Sequence, residues 1–331
     1  MTARYHLVLG LLTSLILSSG AAEPRPKRLA QLPSPVRQTI DALVGDGRLL
    51  DLERTEEKGQ AVYEGEFRRD GKVRGFAVAV DGMLTARQLF EEELPAEVQR
   101  TLRAELAETK PGAIYWTNDD GDPAYFVEFT RGGIERSLTI APDGWLSARE
   151  MSLAELPEPV RLAAARELKG ASPVRIDRVD DGLEISFDIT LPGPGGERTV
   201  SFDPAGNLAA EEISASELPP AARKRIDEHR AGARAAGLFK WQDDGETFFE
   251  AVFVRNGTWH GCTVLGDGSL ASTLLPLSQA PAPVRKAVEE RRGFAVRIEH
   301  HRGEGENYFE VRLRAEGKTR RLEFHPDGTA R

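Results

Sequence analysis

Apolar and polar residues along this chain keep two periods that take turns. Short stretches place apolar residues four or eight apart: Val36 and Ile40; Val98, Leu102 and Leu106; Val160 and Leu168; Ala222 and Ile226; Val284 and Val288. That spacing lines up one face of a helix of two to three turns. After each such stretch the chain alternates with period two. Tyr63, Gly65 and Phe67 interleave with Glu64 and Glu66; Phe309, Val311 and Leu313 interleave with Glu310 and Arg312. The next strand does the same, with Leu322 and Phe324 set against Arg321, Glu323 and His325. This is the pattern of strands with one buried face, and it assigns Glu64 and Glu66 to the wet side. Asp70-Gly71, Gly132-Gly133, Asn256-Gly257 and Glu316-Gly317 fall between two such strands and suit two-residue hairpin turns. In the third copy LPGPGG, at 191–196, predicts a longer loop.

Two markers show that the alternation repeats. Leu-Pro stands at 32–33, 94–95, 156–157 and 218–219, with Ala280-Pro281 as a fifth copy, each step being 62 residues. Asp81-Gly82, Asp143-Gly144, Ala205-Gly206 and Asp267-Gly268 keep the same period, and Asp327-Gly328 comes after 60. Proline cannot extend a strand ladder and presets the turn into a helix, so Leu-Pro reads as the hinge from one copy into the next. In Ser34-Pro35, Ser34 can cap and Pro35 suits the first helical position.

The predicted fold class is α+β: five tandem repeats of one helix plus a three- to four-stranded antiparallel meander, with the helices on one face of the sheets. The repeats are expected at 32–93, 94–155, 156–217, 218–279 and 280–331, the last without its final strand. A single 62-residue unit buries little apolar surface by itself. Neighbours are therefore expected to share sheet edges and cores, pairs of repeats forming continuous curved sheets.

Composition narrows the picture. The 331 residues are 40% hydrophobic and 29% charged, which supports packed cores over disorder. A net charge of −9 excludes a phosphate backbone as partner, since nucleic-acid binders display a basic stripe. Residues 1–22 carry Arg4, an apolar run from Leu7 to Leu17 and a small-residue exit at Ala21-Ala22. That is the layout of a secretory signal peptide, with 23–31 as a linker after it. The run is too short to span a bilayer, and no later segment is apolar enough, so an extracytoplasmic protein, periplasmic or secreted, is expected with no membrane span after signal removal. A single cysteine, Cys262, leaves folding to packing alone.

The sequences Tyr63-Glu64-Gly65-Glu66-Phe67, Phe249-Glu250-Ala251 and Phe309-Glu310-Val311, each with an Asp-Gly turn downstream, resemble the PepSY-like, β-lactamase-inhibitor-like family over nearly all of the chain after residue 22. The resemblance implies extracytoplasmic binding modules: inhibitors that hold an enzyme against the open face of a two-unit sheet, and domains that restrain peptidases. It carries over no contact residue, because no motif matches the inhibitor's contact loops.

Chemistry-bearing residues are few. Cys262 lies two residues from His260, yet it falls in a repeat column with Phe76, Leu138, Val200 and Leu322, so it reads as a core thiol. His260 belongs to a column with Arg74, Arg136, Arg198 and Arg320, which points to a scaffold cation beside Phe67 or Phe129. His300 and His301, beside Glu299, point to opposite faces and are not expected to share a metal. The Asp-Gly turns and the run Asp243-Asp244-Gly245-Glu246 lack the ligand spacing of a calcium loop. No catalytic residue, cofactor or metal site is assigned, and the chain is expected not to be an enzyme.

The fourth copy departs from the rest. Phe239, Trp241, Phe248, Val252 and Trp259 fall on the face that other copies fill with charge, and in the second copy Tyr115 and Phe126 do likewise. An aromatic stripe on an open sheet face is a partner-binding surface for a protein or peptide, and these seven residues are its candidates. The alternative is that a neighbouring repeat covers the stripe. The sequence thus supports an exported, non-enzymatic module binding a protein or peptide through its open sheet face, peptidase or hydrolase inhibition being one form of this. The alternative is a structural or spacing protein of the cell envelope without a dedicated ligand.

Overall fold

The computed structural model describes residues 31–331 apart from 58–59, 108, 120–121, 194–195, 232, 256–257, 304–305 and 316–317. The expected signal peptide, all but the last residue of the linker, and the Asn256-Gly257 and Glu316-Gly317 turns lie outside the described residues.

Helix α1 (Ser34–Val44) precedes β1 (Arg48–Glu57), β2 (Gln60–Arg69), β3 (Lys72–Ala79) and β4 (Leu84–Leu89). Helix α2 (Ala96–Leu106) precedes β5 (Pro111–Asp119), β6 (Asp122–Arg131), β7 (Ile134–Ile140) and β8 (Leu146–Glu150). Helix α3 (Glu158–Leu168) precedes β9 (Arg175–Asp180), β10 (Ile185–Gly193), β11 (Gly196–Phe202) and β12 (Leu208–Glu212). Helix α4 (Pro220–Arg230) precedes β13 (Arg234–Asp243), β14 (Glu246–Arg255), β15 (Thr258–Leu265) and β16 (Leu270–Leu274). Helix α5 (Ala282–Glu289) precedes β17 (Phe294–Gly303), β18 (Glu306–Ala315) and β19 (Lys318–Phe324).

The helices start alike. The N-cap residues are Pro33, Pro95, Pro157, Pro219 and Pro281, with φ between −51° and −56°. Each proline carbonyl accepts the first helical N–H, from Arg37, Gln99, Arg161, Arg223 and Arg285, at 2.9–3.0 Å. Ser34 is therefore not the cap it was expected to be: it is the first helical residue, and Pro33 caps with no side-chain bond. Four Leu-Pro or Ala-Pro hinges are preceded by a 3-10 turn. Ser152 and Ser214 close two of these turns by donating their backbone N–H to Glu155 and Glu217 at 2.8 and 2.7 Å.

The Asp-Gly turns are tied to the helix starts. Gly82, Gly144, Gly206, Gly268 and Gly328 have φ between 82° and 92°. A Cβ on any of them would come within 2.6–2.9 Å of Pro35, Glu97, Pro159, Ala221 or Pro283. Only glycine meets both the left-handed backbone and the close approach. The helix ends are held too. The Arg69, Arg131 and Arg255 guanidiniums donate to the carbonyls of Leu43, Glu105 and His229 at 3.1, 2.7 and 2.9 Å, complementing the negative end of each helix.

Each helix packs an apolar face on its own strands, giving five separate cores. The expected layout of five helix-plus-meander modules is nonetheless corrected by the strand pairing. The chain divides at Leu146/Ser147 into two compact units. In the first, β1 to β7 pair antiparallel in succession. In the second, β8 to β19 do so. The nineteen strands among the described residues are thus not parcelled into three- to four-stranded meanders. At every repeat junction the last strand of one copy bonds to the first of the next, as in Leu89↔Ile114, Ala148↔Val179, Glu212↔Phe239 and Leu274↔Glu299. An unpaired edge in each module would leave backbone N–H and C=O groups without partners, and continuous pairing removes it.

A second correction concerns the face opposite the helices. Glu64, expected on a wet face, is buried, as are Asp188, Glu250 and Glu310 in later copies, whereas Glu66 is exposed. In the second unit the cause is curvature. Glu250 on β14 reaches Arg297 on β17 at 2.7 Å, although two strands lie between them. In a flat sheet three strand steps span roughly 14 Å. The sheet therefore curls. The β9–β10 turn meets its far end: Thr319 donates Oγ1–H to the Asp181 carbonyl at 2.9 Å, and a Cβ on Gly182 would lie 2.1 Å from that hydroxyl oxygen. Among the described residues no helix is long and apolar enough to cross a membrane.

Candidate functional site

The expected partner-binding stripe is not an open surface. Phe239, Val252, Trp259, Tyr115 and Phe126 are buried, and Trp241 and Phe248 are half-buried and stacked on each other at 4.2 Å. The register puts them where alternation expected, with Trp241↔Phe248, Val254↔Trp259 and Tyr115↔Phe126 as cross-strand pairs. The face itself turns inward. Burial pushes the Tyr115 phenol up to about 12, helped by Glu128 and Glu66.

The same inward face of the second unit carries a ladder of alternating charge. Arg297 pairs with Glu250 at 2.7 Å and with Glu299; His301 lies 3.4 Å from Glu299 and 3.9 Å from Glu310; Arg312 lies 3.6 Å from Glu310 and pairs with Asp181. Burial alone would raise the Glu299 carboxyl, but the Arg297 charge and His301 overturn this and hold it far below its ordinary range. Asp181 is likewise held low: burial raises it, and Arg312 with the Glu184 and Leu183 N–H groups outweighs that. Within the ladder His301 Nε2 and Arg312 Nε lie within ion-pair reach of carboxylates but make no hydrogen bond.

On the helix side, where the fourth and fifth copies meet, a cleft of about 730 Å³ opens. Its polar groups are His229 at the end of α4, Arg255, His260, Thr273, Gln279, His300, Arg302 and Asn307; Leu274, Leu275 and Pro281 supply apolar wall. Phe253 and His260 stack at 6.0 Å, and His300 and Phe309 at 4.1 Å. His300 Nε2 bonds Asn307 Oδ1 at 2.8 Å, and Arg302 Nε donates to His300 Nδ1 at 3.1 Å. Arg302 Nε also lies 3.3 Å from His300 Nε2, so its N–H faces both ring nitrogens. Burial lowers His229, His260 and His300, with Arg225, Arg255 and Arg302 respectively adding to it. At neutral pH the cleft therefore presents imidazole, amide, hydroxyl and guanidinium donors. Its described lining contains no Asp or Glu.

Cys262 is buried in the fourth core, and burial pushes its thiol up to about 12, so it carries no thiolate at neutral pH. His260 stacks on Phe253, while Arg74 lies over Phe90 at 4.7 Å and pairs with Glu93 at 2.6 Å; its ring is not Phe67, which lies under Arg69 instead. His300 and His301 face opposite sides, stacked on Phe309 and Tyr308. Among the described residues no group of three or more His, Cys, Asp or Glu is placed to hold a metal ion. Sequence pattern alone did not single out His229, Arg255, Arg302 and Asn307. One signal was available: the column Glu105, Glu167, His229 loses its carboxylate in the fourth copy.

No protein-family model matches the chain, so none supports the PepSY-like resemblance, and no curated protein matches it. Some solved structures match in part. A Bacteroides eggerthii protein described as periplasmic is 15% identical over 35% of this chain and 85% of that one, with a TM-score of 0.28. DUF2874 family proteins from Bacteroides ovatus and Bacteroides uniformis are 14% and 18% identical. They cover 35% and 34% of this chain and 84% and 85% of their own, with TM-scores of 0.28 and 0.27.

Proposed function

We propose that the chain is an exported, non-enzymatic binding module that takes a protein or peptide. One observation carries it: the cleft between the fourth and fifth copies gathers hydrogen-bond donors and an apolar wall in one concavity of about 730 Å³, a combination suited to holding a ligand. Export rests on the signal-like layout of residues 1–22. The mode of binding differs from the open-face one, because the aromatic stripe is buried. Hydrogen exchange of the full chain with a panel of acidic, neutral and basic peptides tests the proposal. Protection at Thr273–Leu275 by at least one class supports it; no protection by any class refutes it. The burial of the stripe favours a second reading, an envelope spacing element without a ligand, and that negative result is the one it requires.

A further inference from the structure

The junction between the third and fourth copies contains its own carboxylates. Arg198 pairs with Glu167 at 3.0 Å and with Glu211 at 3.5 Å, and Lys240 pairs with Glu211. Two cations and two carboxylates neutralise one another there. One copy later the same positions are His260, His229, Thr273 and His300. The register fixes the equivalence: Leu191↔Arg198 matches Phe253↔His260, and Glu211↔Lys240 matches Thr273↔His300. Both carboxylates are gone, in a chain with 53 acidic against 44 basic residues. Donors remain: the His260 imidazole replaces Arg198, His300 replaces Lys240 but is held by Asn307 and Arg302, and Arg302 stands where the fourth copy has Gln242.

We propose that this cleft binds a peptide through a carboxylate, which takes the place that Glu211 and Glu167 fill one junction earlier. The inference rests on the binding-module proposal and adds the ligand's chemistry. The Thr273 hydroxyl stands at the position of Glu211, and exposed Arg302 supplies charge at the cleft, whose described lining residues include no carboxylate. Neutral imidazoles donate without adding charge, so a single carboxylate suits the site better than a doubly charged phosphate. The wall of Leu274, Leu275 and Pro281 calls for an apolar side chain beside the carboxylate. A peptide ending in an apolar residue meets both requirements, in the manner of sites that capture chain termini.

The probes are N-acetyl-Leu-Leu as free acid, the same compound as C-terminal amide, and inorganic phosphate, titrated calorimetrically into the full chain. The free acid is expected to bind at least tenfold tighter than the amide and tighter than phosphate. Thr273→Glu, which restores the earlier junction's carboxylate, is expected to weaken the acid at least tenfold while leaving the melt in place; Arg302→Gln, at an exposed position, should weaken it severalfold. Equal affinity for acid and amide, preference for phosphate, or binding of neither Leu-Leu compound overturns the inference. Failure here with cleft protection by peptides of any charge leaves the binding-module proposal standing; absence of all protection removes both.

Discussion

Replacing Arg297 by methionine tests whether the curled sheet's interior is dry. The guanidinium and the Glu250 carboxylate are both buried, 7% and 3% exposed, and meet at 2.7 Å, with Glu299 as a second partner. Arg297→Met keeps the stem's volume and leaves two carboxylates facing an apolar group. Breaking a buried pair from one side costs about 3–5 kcal/mol, because the remaining charge is stranded. For a unit of this size that is about 2–4 °C of melting temperature per kcal/mol. Calorimetry of the full chain at pH 7 should therefore show one transition moving down by roughly 6–20 °C. The triple variant Arg297→Met, Glu250→Gln, Glu299→Gln should recover much of the loss, since no charge is stranded. pH gives an independent arm. Glu299 is held below its ordinary value in the native protein, so its contribution is fully present above the unfolded value of about 4.3 and is lost as pH falls through the folded value. In Arg297→Met the unpaired carboxylates are protonated readily, so the gap between native and variant should narrow toward pH 4. A single variant costing less than about 1 kcal/mol, as a solvent-exposed pair does, would refute the buried ladder.

The same structure sets further expected outcomes. Gly206→Ala should destabilise by about 1–2 kcal/mol from the left-handed backbone alone, and further because its Cβ would sit 2.6 Å from the Pro159 carbonyl, measured by urea unfolding. Phe239→Ala should cost about 3–5 kcal/mol as a core truncation does, whereas an open binding face would leave the melt unchanged. Cys262 should resist a thiol reagent at pH 8 in the folded chain and react on unfolding, because burial holds its thiol near 12. His229, His260 and His300 all titrate below their unfolded value, so the unfolded chain binds more protons and stability should fall as pH drops through about 6.5. His300→Gln should flatten part of that dependence in pH-resolved melts.

Much of the local structure was legible. The Leu-Pro and Asp-Gly columns mark the helix starts and the turns packed on them, since only proline and glycine meet those backbone demands. The place of Cys262 could be read from its apolar column. Other local devices were visible but unread: Ser152 and Glu155 spell a capping box, and Arg69, Arg131 and Arg255 recur at the repeat period as helix-end donors.

By itself, then, the sequence determined the period of the chain, where each helix begins, and which strand face meets that helix, because these depend on residues close together in the chain or one repeat apart. Only the tertiary structure decided what becomes of the other face. Alternation separates two sides of a strand, but curvature accumulates over many strands and decides whether the second side meets water. In the second unit that curl turned an apparent wet face into a paired interior, buried Phe239, Val252 and Trp259, and left on the helix side a cleft whose chemistry is plain only when one junction is set against another.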